Sequence, residues 1–249
     1  MADENELLKK RYIELSERAL GYYTYTDFLA LAEQSLFCEV KSKIKVPYCE
    51  FGGAAGCERV VVRFGDEALI GYDGGFPITV IEICPKDKKY AEKLTHRDYL
   101  GALTSLGITR DVLGDIVVKE DKCYLFCLDG ISEYIEKELT RVRNTYVICK
   151  RTDEVPEGEL YTCESVHVQV SSERLDAVIA KLYRLSREDA QALFKKGLVF
   201  VSGKEIRSVS YTPKPDDKIS VRGRGRFIYR GFVSESKKGK LNIELSVYK

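Results

Sequence analysis

The spacing of hydrophobic residues predicts helices in the first third of the chain. Apolar side chains recur at helical intervals between charged residues over positions 7–15, and Gly21 ends this segment. Thr26 and Asp27 are predicted to cap a second helix that begins with the apolar residues at 28–32. Short extended pieces separated by glycine turns follow, so the pattern indicates helices and then hairpins.

Helical and extended patterns alternate in the middle of the chain. After an N-terminal helical and hairpin region over residues 1–72, residues 73–157 follow the order β-α-β-β-α-β of a ferredoxin-like domain. RNA-recognition domains share this order and stack bases on aromatic residues of their first and third strands. The first strand, 78–83, has no aromatic residue, and the third has Tyr124 and Phe126. Ordinary packing of these two rings is therefore favoured over base stacking. The predicted elements are strands at 78–83, 116–118, 123–127 and 146–149 and helices at 96–106 and 131–139.

A charged segment from Arg151 to Gly158 predicts a linker to a third domain, which covers residues 158–249. Ser186, with Asp189 three residues later, is typical of a capping box at the start of a helix, and Gly197 is placed for the C-terminal cap of that helix. The predicted elements of this domain are an extended segment at 161–170, helices at 175–182 and from 186 to 197, and strands at 198–201 and 218–221. The chain as a whole is predicted to be an α+β protein.

Basic residues are concentrated in this third domain. From Ser171 to Lys249 the chain has 18 Lys and Arg against 9 Asp and Glu, whereas the rest has 22 against 30. On the second helix, Arg187, Gln191 and Lys195 fall within about 80° of one another, away from the apolar stripe at 190–194. A basic end on an acidic body is typical of a protein that grips phosphate, and a merely solvated surface is the alternative.

Composition excludes several classes of protein. Hydrophobic residues make up 44% and charged residues 32% of the 249, as in globular proteins. No apolar run approaches the roughly 18 to 20 residues of a membrane span, and the acidic N-terminus is unlike a secretory signal. We therefore expect a cytoplasmic protein whose eight cysteines are reduced. Cys123 and Cys127 lie about 13 Å apart on a strand, and His96 and His167 have no cysteine beside them, so neither a metal nor a cofactor is predicted.

No catalytic set is evident in the sequence. The glycine loop at 52–56 lacks the Gly-Lys-Ser/Thr of a phosphate-binding loop. His96, Arg97 and Asp98 resemble a kinase catalytic loop without its companion motifs, and the favoured interpretation is that His96 and Asp98 cap a helix while Arg97 is exposed. The sequence therefore predicts that the chain is not an enzyme.

Motifs of the third domain resemble the S4 RNA-binding domain, a family named for a small-subunit ribosomal protein. They are Arg174-Leu175-Asp176, Leu185-Ser186-Arg187, Lys195 to Val199, Val201 to Lys204 and Asp217 to Val221. Ser202 departs from the family pattern, which usually has Asn before Gly. The resemblance implies a surface that binds RNA. The residues predicted to form it are Arg174, Ser186, Arg187, Gln191, Lys195, Lys196, Lys204, Arg207, Arg222, Arg224 and Arg226.

Motifs across the rest of the chain resemble the YlmH group of bacterial proteins, which join a helical N-terminal part, a ferredoxin-like domain and a C-terminal S4 domain. They are Thr26 to Leu29, Gly53 to Arg59, His96 to Leu103, Leu106 to Arg110, Gly114 to Ile116 and Val221 to Phe227. His96, Arg97 and Arg110 are a candidate second contact surface. The resemblance covers nearly the whole chain.

The resemblance implies a role at the ribosome. The YlmH group is encoded among cell-division genes, and its relatives act on the large ribosomal subunit in quality control of stalled nascent chains, where they hold peptidyl-tRNA. The chain is therefore expected to be a monomeric, non-catalytic factor whose partners are rRNA, tRNA and the large subunit. Two alternatives stay open, an RNA-modifying enzyme with an unrecognised site and a division-site protein whose RNA affinity is incidental.

Overall fold

The computed structural model describes residues 2–120, 122–155, 160–237 and 239–248. The chain divides into two compact units, Met1–Leu160 and Tyr161–Lys249. The further division of the first unit at residue 72 stays a prediction. The predicted linker is wrong at its beginning, because Arg151 and Thr152 continue a strand; its residues 156–158 lie outside the described part of the chain.

The N-terminal part of the first unit packs two helices against a small antiparallel sheet. Its buried centre contains Tyr12, Phe37, Val62 and Phe64, and the strands follow the order β1-β3-β2. The elements are α1 (Ala2–Arg18), β1 (Thr24–Tyr25), α2 (Leu31–Val40), β2 (Tyr48–Phe51), β3 (Val61–Phe64) and the single turn α3 (Glu67–Ile70).

The predicted start of the second helix is wrong. Residues around Thr26 are extended because their backbone pairs with a neighbouring strand: Thr26 N donates to Val62 O (3.0 Å) and Leu29 N donates to Val60 O (2.7 Å). The Thr26 hydroxyl, expected to cap the helix, accepts from Val62 N instead. Helix α2 begins only at Leu31, where the Glu33 carboxylate accepts from the backbone N of residue 30.

The rest of the first unit has the predicted order of strand, helix, strand, strand, helix and strand. The two-residue strand β7 was not predicted. The five strands form one antiparallel sheet in the order β5-β6-β4-β8-β7, and its core contains Ile81, Ile83, Leu103, Leu125 and Ile135. The elements are β4 (Ile78–Pro85), α4 (His96–Ser105), β5 (Leu113–Lys119), β6 (Lys122–Leu128), α5 (Asp129–Glu138), β7 (Arg141–Val142) and β8 (Thr145–Thr152).

The second unit packs two helices on one face of a six-stranded antiparallel sheet. The strand order is β11-β10-β12-β13-β14-β9, and its core joins Val178 and Phe194 of the helices to Val221, Phe227 and Leu245 of the sheet. The elements are β9 (Cys163–Val170), α6 (Leu175–Leu182), α7 (Arg187–Lys195), β10 (Val199–Val201), β11 (Lys204–Glu205), β12 (Lys218–Val221), β13 (Gly225–Glu235) and β14 (Leu241–Tyr248).

Both helices of this unit and strand β12 are confirmed as predicted. Gly197 has a φ of 65°, the left-handed conformation predicted for the residue after α7. Strands β13 and β14 were not predicted. Register shifts between Tyr229 and Gly231 and between Phe232 and Ser234 interrupt the two-residue alternation by which a strand is recognised.

Candidate nucleic-acid interface

A buried carboxylate gathers basic residues from both helices of the second unit. Asp176, in the first turn of α6, is fully buried. Arg174 donates to its two oxygens through Nε and Nη2, each over 3.1 Å. From α7, Arg187 Nε and Gln191 Nε2 lie 3.4 Å and 3.0 Å from Asp176 Oδ2. Three residues predicted separately to contact RNA are therefore held around one carboxylate.

This cluster keeps an excess of positive charge at the surface. Two guanidinium groups share the single carboxylate of Asp176, and the side chains of Arg174 and Arg187 are 35% and 51% exposed. Burial alone would raise the pKa of the Asp176 carboxyl, but hydrogen bonds from Gln191 and Arg174 and the charge of Arg187 outweigh it and lower that pKa. The carboxylate is therefore ionised at neutral pH, and the arginines are oriented with donors left for a ligand.

The predicted helix start at Ser186 is confirmed in detail. Ser186 Oγ accepts from Asp189 N over 3.0 Å and donates to Asp189 Oδ2 over 2.7 Å. Its hydroxyl is thus used to cap α7, and a contact between Ser186 and RNA stays a prediction. The cap fixes the first turn of α7, from which Arg187 reaches Asp176.

Two basic residues at the turn between the helices were missed by sequence reasoning. Lys181 and Arg184 line a shallow pocket of about 440 Å³ together with Arg187, over a floor that includes Ala177 and Ala180. Arg184 has a φ of 53°, which is uncommon for a residue with a side chain. The detectable signal was the spacing of Lys181, Arg184 and Arg187, three residues apart on either side of the turn.

Basic residues also surround the end of α7. Lys195 and Lys196 are exposed there, and so is Lys204 in the hairpin of β10 and β11. Arg207 is 82% exposed and donates through Nε to Glu205 over 2.6 Å. Because Glu205 offsets the charge of Arg207, the lysines contribute most of the positive potential at this end of the helix.

The arginine stretch after β12 does not lie with the helices. Arg226 precedes the buried Phe227 on β13, so its side chain is on the face of the sheet opposite α6 and α7. Its guanidinium stacks on Tyr248, 4.4 Å from the ring centre, and that of Arg222 stacks on Phe200 at 4.4 Å. Arg224 is exposed in the turn between them. The residues predicted as one surface are therefore divided between two faces of the unit.

The candidate second contact surface is only partly assembled. Arg97 lies at the start of α4, beside Arg141 and Arg143. Arg110 follows the other end of α4, roughly 15 Å away along ten residues of helix. His96 is exposed beside Arg97, but it is not the cap of α4 as predicted.

The cap of α4 is formed by its neighbours. Asp98 Oδ2 accepts from the backbone N and the Oγ1 of Thr95, over 2.8 Å and 2.7 Å. Thr95 takes the capping position because its hydroxyl and the Asp98 carboxylate form a reciprocal pair. The predicted role of Asp98 is confirmed, and that of His96 is wrong.

The aromatic residues of β6 are packed inside the first unit. Phe126 is fully buried and Tyr124 is 6% exposed. A Cβ placed on Gly53 would lie 2.4 Å from the Phe126 ring, and one placed on Gly114 would lie 2.7 Å from the Phe28 ring. The N-terminal part thus covers this face of the sheet, and the two aromatic side chains are not presented for base stacking.

Several of the quoted motifs meet at one junction of the first unit. Arg59 Nε donates to Leu113 O (2.7 Å), and its Nη2 donates to Phe28 O (2.9 Å) and Arg110 O (2.8 Å). The carboxylate of Asp115 accepts from the backbone N of Arg59 over 3.2 Å. These contacts join the N-terminal part to the strand-helix domain, so the motifs have a structural function.

The cysteines provide no evident chemistry. All eight are free thiols, and burial raises the pKa of Cys127 and of Cys149 to about 12. Within the described ranges, no group of three His, Cys, Asp or Glu side chains is arranged to hold a metal ion. None of the helices described is both long and apolar enough to cross a membrane.

Comparison with known proteins identifies two domains. Residues 73–155 match the family described as "Putative RNA-binding domain in YlmH", and residues 173–219 match the S4 domain family. The chain is thus an S4-domain RNA-binding protein. It is 30% identical to the ribosome-associated protein quality control protein P2 of Bacillus subtilis, over 88% of this chain and 84% of that protein. The chain belongs to the family of that protein, and the resemblance to the YlmH group is confirmed.

Two further likenesses are partial. An uncharacterized RNA pseudouridine synthase of Aquifex aeolicus is 33% identical over 30% of this chain and 27% of that protein. A solved structure titled cell division protein ylmH from Streptococcus pneumoniae covers 61% of this chain and 88% of its own, with a TM-score of 0.47 and 16% identity.

Proposed function

We propose that this protein is a non-catalytic factor that grips rRNA or tRNA with its S4 domain, on the large ribosomal subunit, during rescue or quality control of stalled nascent chains. Family membership supports association with the ribosome. The Asp176 cluster supports the mode of binding, because it orients Arg174 and Arg187 with donors free for phosphate. That cluster is the single observation that carries the proposal.

The helix face is proposed as the main grip. It comprises Arg174, Arg187 and Gln191 around Asp176 and the exposed Lys195 at the end of α7. Lys181 and Arg184 extend it into the adjoining pocket. The first turn of α7 adds the positive end of the helix dipole, which favours a phosphate. Because such contacts are to the backbone of RNA, they position the protein and carry little base specificity.

The remaining predicted residues are proposed to make separate contacts. Arg222 and Arg226, stacked on Phe200 and Tyr248 on the other sheet face, are suited to a second RNA segment. Their aromatic partners hold the guanidinium planes in place. We expect the protein to act as a monomer in the cytoplasm, where ribosomes work.

Replacing Arg187 or Lys195 with Ala in the full-length chain tests the main grip. Each variant is expected to bind large ribosomal subunits about tenfold more weakly, because a charged contact to phosphate is lost. The slope of log affinity against log salt should fall by about 0.7 to 0.9 for each contact removed. Co-sedimentation with purified subunits over a series of salt concentrations measures both quantities.

The matched control is Arg230→Ala. Arg230 is exposed in the same unit but pairs with Asp216 over 2.6 Å, and we expect its loss to change binding little. If both grip variants bind subunits like the wild type, the helix face is not the RNA-binding surface.

An RNA-modifying enzyme is the second candidate, favoured by the partial likeness to a pseudouridine synthase. That likeness covers 27% of the synthase, which leaves most of that protein without a counterpart here. A comparison of the RNA modifications in a strain lacking this gene with those in its parent strain tests this alternative.

A further inference from the structure

A shallow groove lined with arginine lies in the first unit, between α4 and the hairpin of β7 and β8. It has a volume of about 420 Å³, and Arg97, Arg141 and Arg143 line its sides. Arg97 comes from the first turn of α4, and the other two come from the hairpin. Three guanidinium groups from two elements, the helix and the hairpin, therefore line one groove.

Small side chains on α4 form the floor of the groove. Gly101, Ala102 and Ser105 line it, and a Cβ added at Gly101 would meet nothing within 4 Å. The space above the helix is therefore open. The pocket beside the Asp176 cluster is constructed in the same way, with basic side chains around Ala177 and Ala180.

The conformation of Arg143 turns its side chain toward the acidic groups at the start of α4. Its φ is 51°, in the left-handed region that Gly and Asn adopt far more readily than Arg. Its Nη1 lies 3.5 Å from Asp98 Oδ1 and its Nε lies 3.9 Å from Glu92 Oε2. The two carboxylates hold this guanidinium at the groove.

The other two arginines retain their charge. In the described part of the chain, no carboxylate lies within ion-pair distance of Arg97 or Arg141. Arg141 donates through Nη2 to Asn144 Oδ1 over 3.1 Å and lies 5.7 Å from the ring centre of Tyr146. The Tyr146 ring is 63% exposed. An anion entering the groove would therefore meet two guanidinium groups whose charge no carboxylate offsets, one of them close to an exposed aromatic ring.

We propose that this groove, and not the covered sheet face, is where the first unit binds a phosphodiester of RNA. The inference rests on the proposed function as an RNA-binding factor. Guanidinium forks match the paired oxygens of a phosphate, and an exposed tyrosine offers a surface for a base. The sheet face that RNA-recognition domains use is covered here, because Phe126 is buried. The groove is thus an alternative route for this domain to contact RNA.

The experiment compares full-length variants for binding to protein-free large-subunit rRNA and to intact large subunits. A double variant, Arg97→Ala with Arg141→Ala, is expected to bind both about tenfold more weakly, with a salt slope lower by about 0.7 to 0.9 per contact. Arg143→Asn removes a charge from the groove and introduces a residue that tolerates the positive φ of this position. Gly101→Leu fills the groove without changing the charge and should also weaken binding.

Two comparisons make the result decisive. Arg18→Ala with Lys137→Ala removes an equal charge at two exposed positions of the first unit outside the groove, and this variant should bind like the wild type. If Arg187→Ala weakens binding while the groove variants do not, the groove inference is overturned and the proposed function stands. If neither Arg187→Ala nor the groove variants change binding, the groove inference and the proposed function are both contradicted. Loss of binding to intact subunits with unchanged affinity for the rRNA would mean that the groove binds protein, which overturns the inference.

Discussion

At the scale of single residues, a buried acid determines how the basic side chains of the S4 domain are presented. An isolated ionised carboxylate is costly to bury, and it persists where hydrogen-bond donors surround it. Asp176 receives donors from Arg174, Arg187 and Gln191. Each of these side chains loses part of its freedom before any RNA arrives. This restriction would lower the entropy cost of the contacts to phosphate proposed for these residues.

Replacing Asp176 with Asn should therefore weaken both stability and RNA binding. The amide removes the charge that orients Arg174 and Arg187, and it places an NH₂ donor against other donors. We expect a loss of about 1 to 3 kcal/mol in the free energy of unfolding. RNA affinity should fall even though the net charge becomes more positive. Urea denaturation and RNA binding measure the two effects.

The pH dependence gives an independent check on the Asp176 carboxylate. Its pKa is lowered from the ordinary value of 3.8, so it stabilises the fold above that value, and this contribution is lost as pH falls through the lower folded-state pKa. The stability difference between wild type and Asp176→Asn should shrink over that acid range. Glu188→Gln, an exposed change on α7, is the control. An equal difference at all pH values would contradict this account.

At the scale of elements, local signals predicted more of the fold than contacts between distant segments. The caps of α7 were predictable, because Ser186, Asp189 and Gly197 act within one turn of their own helix. The start of α2 was not, because residues near Thr26 pair with a strand about 35 residues later in the chain. Strand pairing of that kind has no local sequence signature.

In the candidate site, too, local features were predictable and contacts between separate elements were not. A helical wheel placed Arg187, Gln191 and Lys195 on one face, and the structure keeps Arg187 and Gln191 together. The wheel treats one helix at a time, so it could not show that both residues reach Asp176 on α6. Nor could it show that Arg222 and Arg226 lie behind the sheet.

The N-terminal part covers one face of the five-stranded sheet in the first unit, and this leads to a prediction for Phe126. Phe126→Ala should cost about 3 to 5 kcal/mol in the free energy of unfolding, because a fully buried ring is removed. Phe126→Leu keeps most of the volume and should cost about 1.5 kcal/mol or less. The RNA affinity of the folded Leu variant should equal that of the wild type.

Thermal or urea unfolding and RNA binding are measured on the same preparations of these variants. Tyr22→Ala is a suitable control, because that ring is 51% exposed and its loss should leave stability nearly unchanged. A folded Phe126→Leu protein that bound RNA much more weakly would show that this sheet face takes part in recognition.

At the scale of the whole molecule, basic surfaces occur in both units although the first is acidic overall. In the Asp176 cluster of the second unit a carboxylate fixes both Arg174 and Arg187, whereas in the arginine groove of the first unit carboxylates hold Arg143 alone. Two weak sites on one chain can bind far more tightly together than either alone, provided that one RNA target reaches both. Affinity for a large structured RNA should therefore exceed affinity for a short one.

The proposed function as a binding factor also predicts that this protein leaves RNA chemically unchanged. We therefore expect rRNA and tRNA from a strain lacking this gene to keep every modification found in the parent strain. Mass spectrometry of nucleosides and of nuclease fragments from both strains makes this comparison. A single missing modification, restored by the wild-type gene and not by a variant that cannot bind RNA, would establish an enzyme instead of a binding factor. Full modification together with a defect in rescuing stalled nascent chains would support the binding role, because that defect requires only that RNA be held.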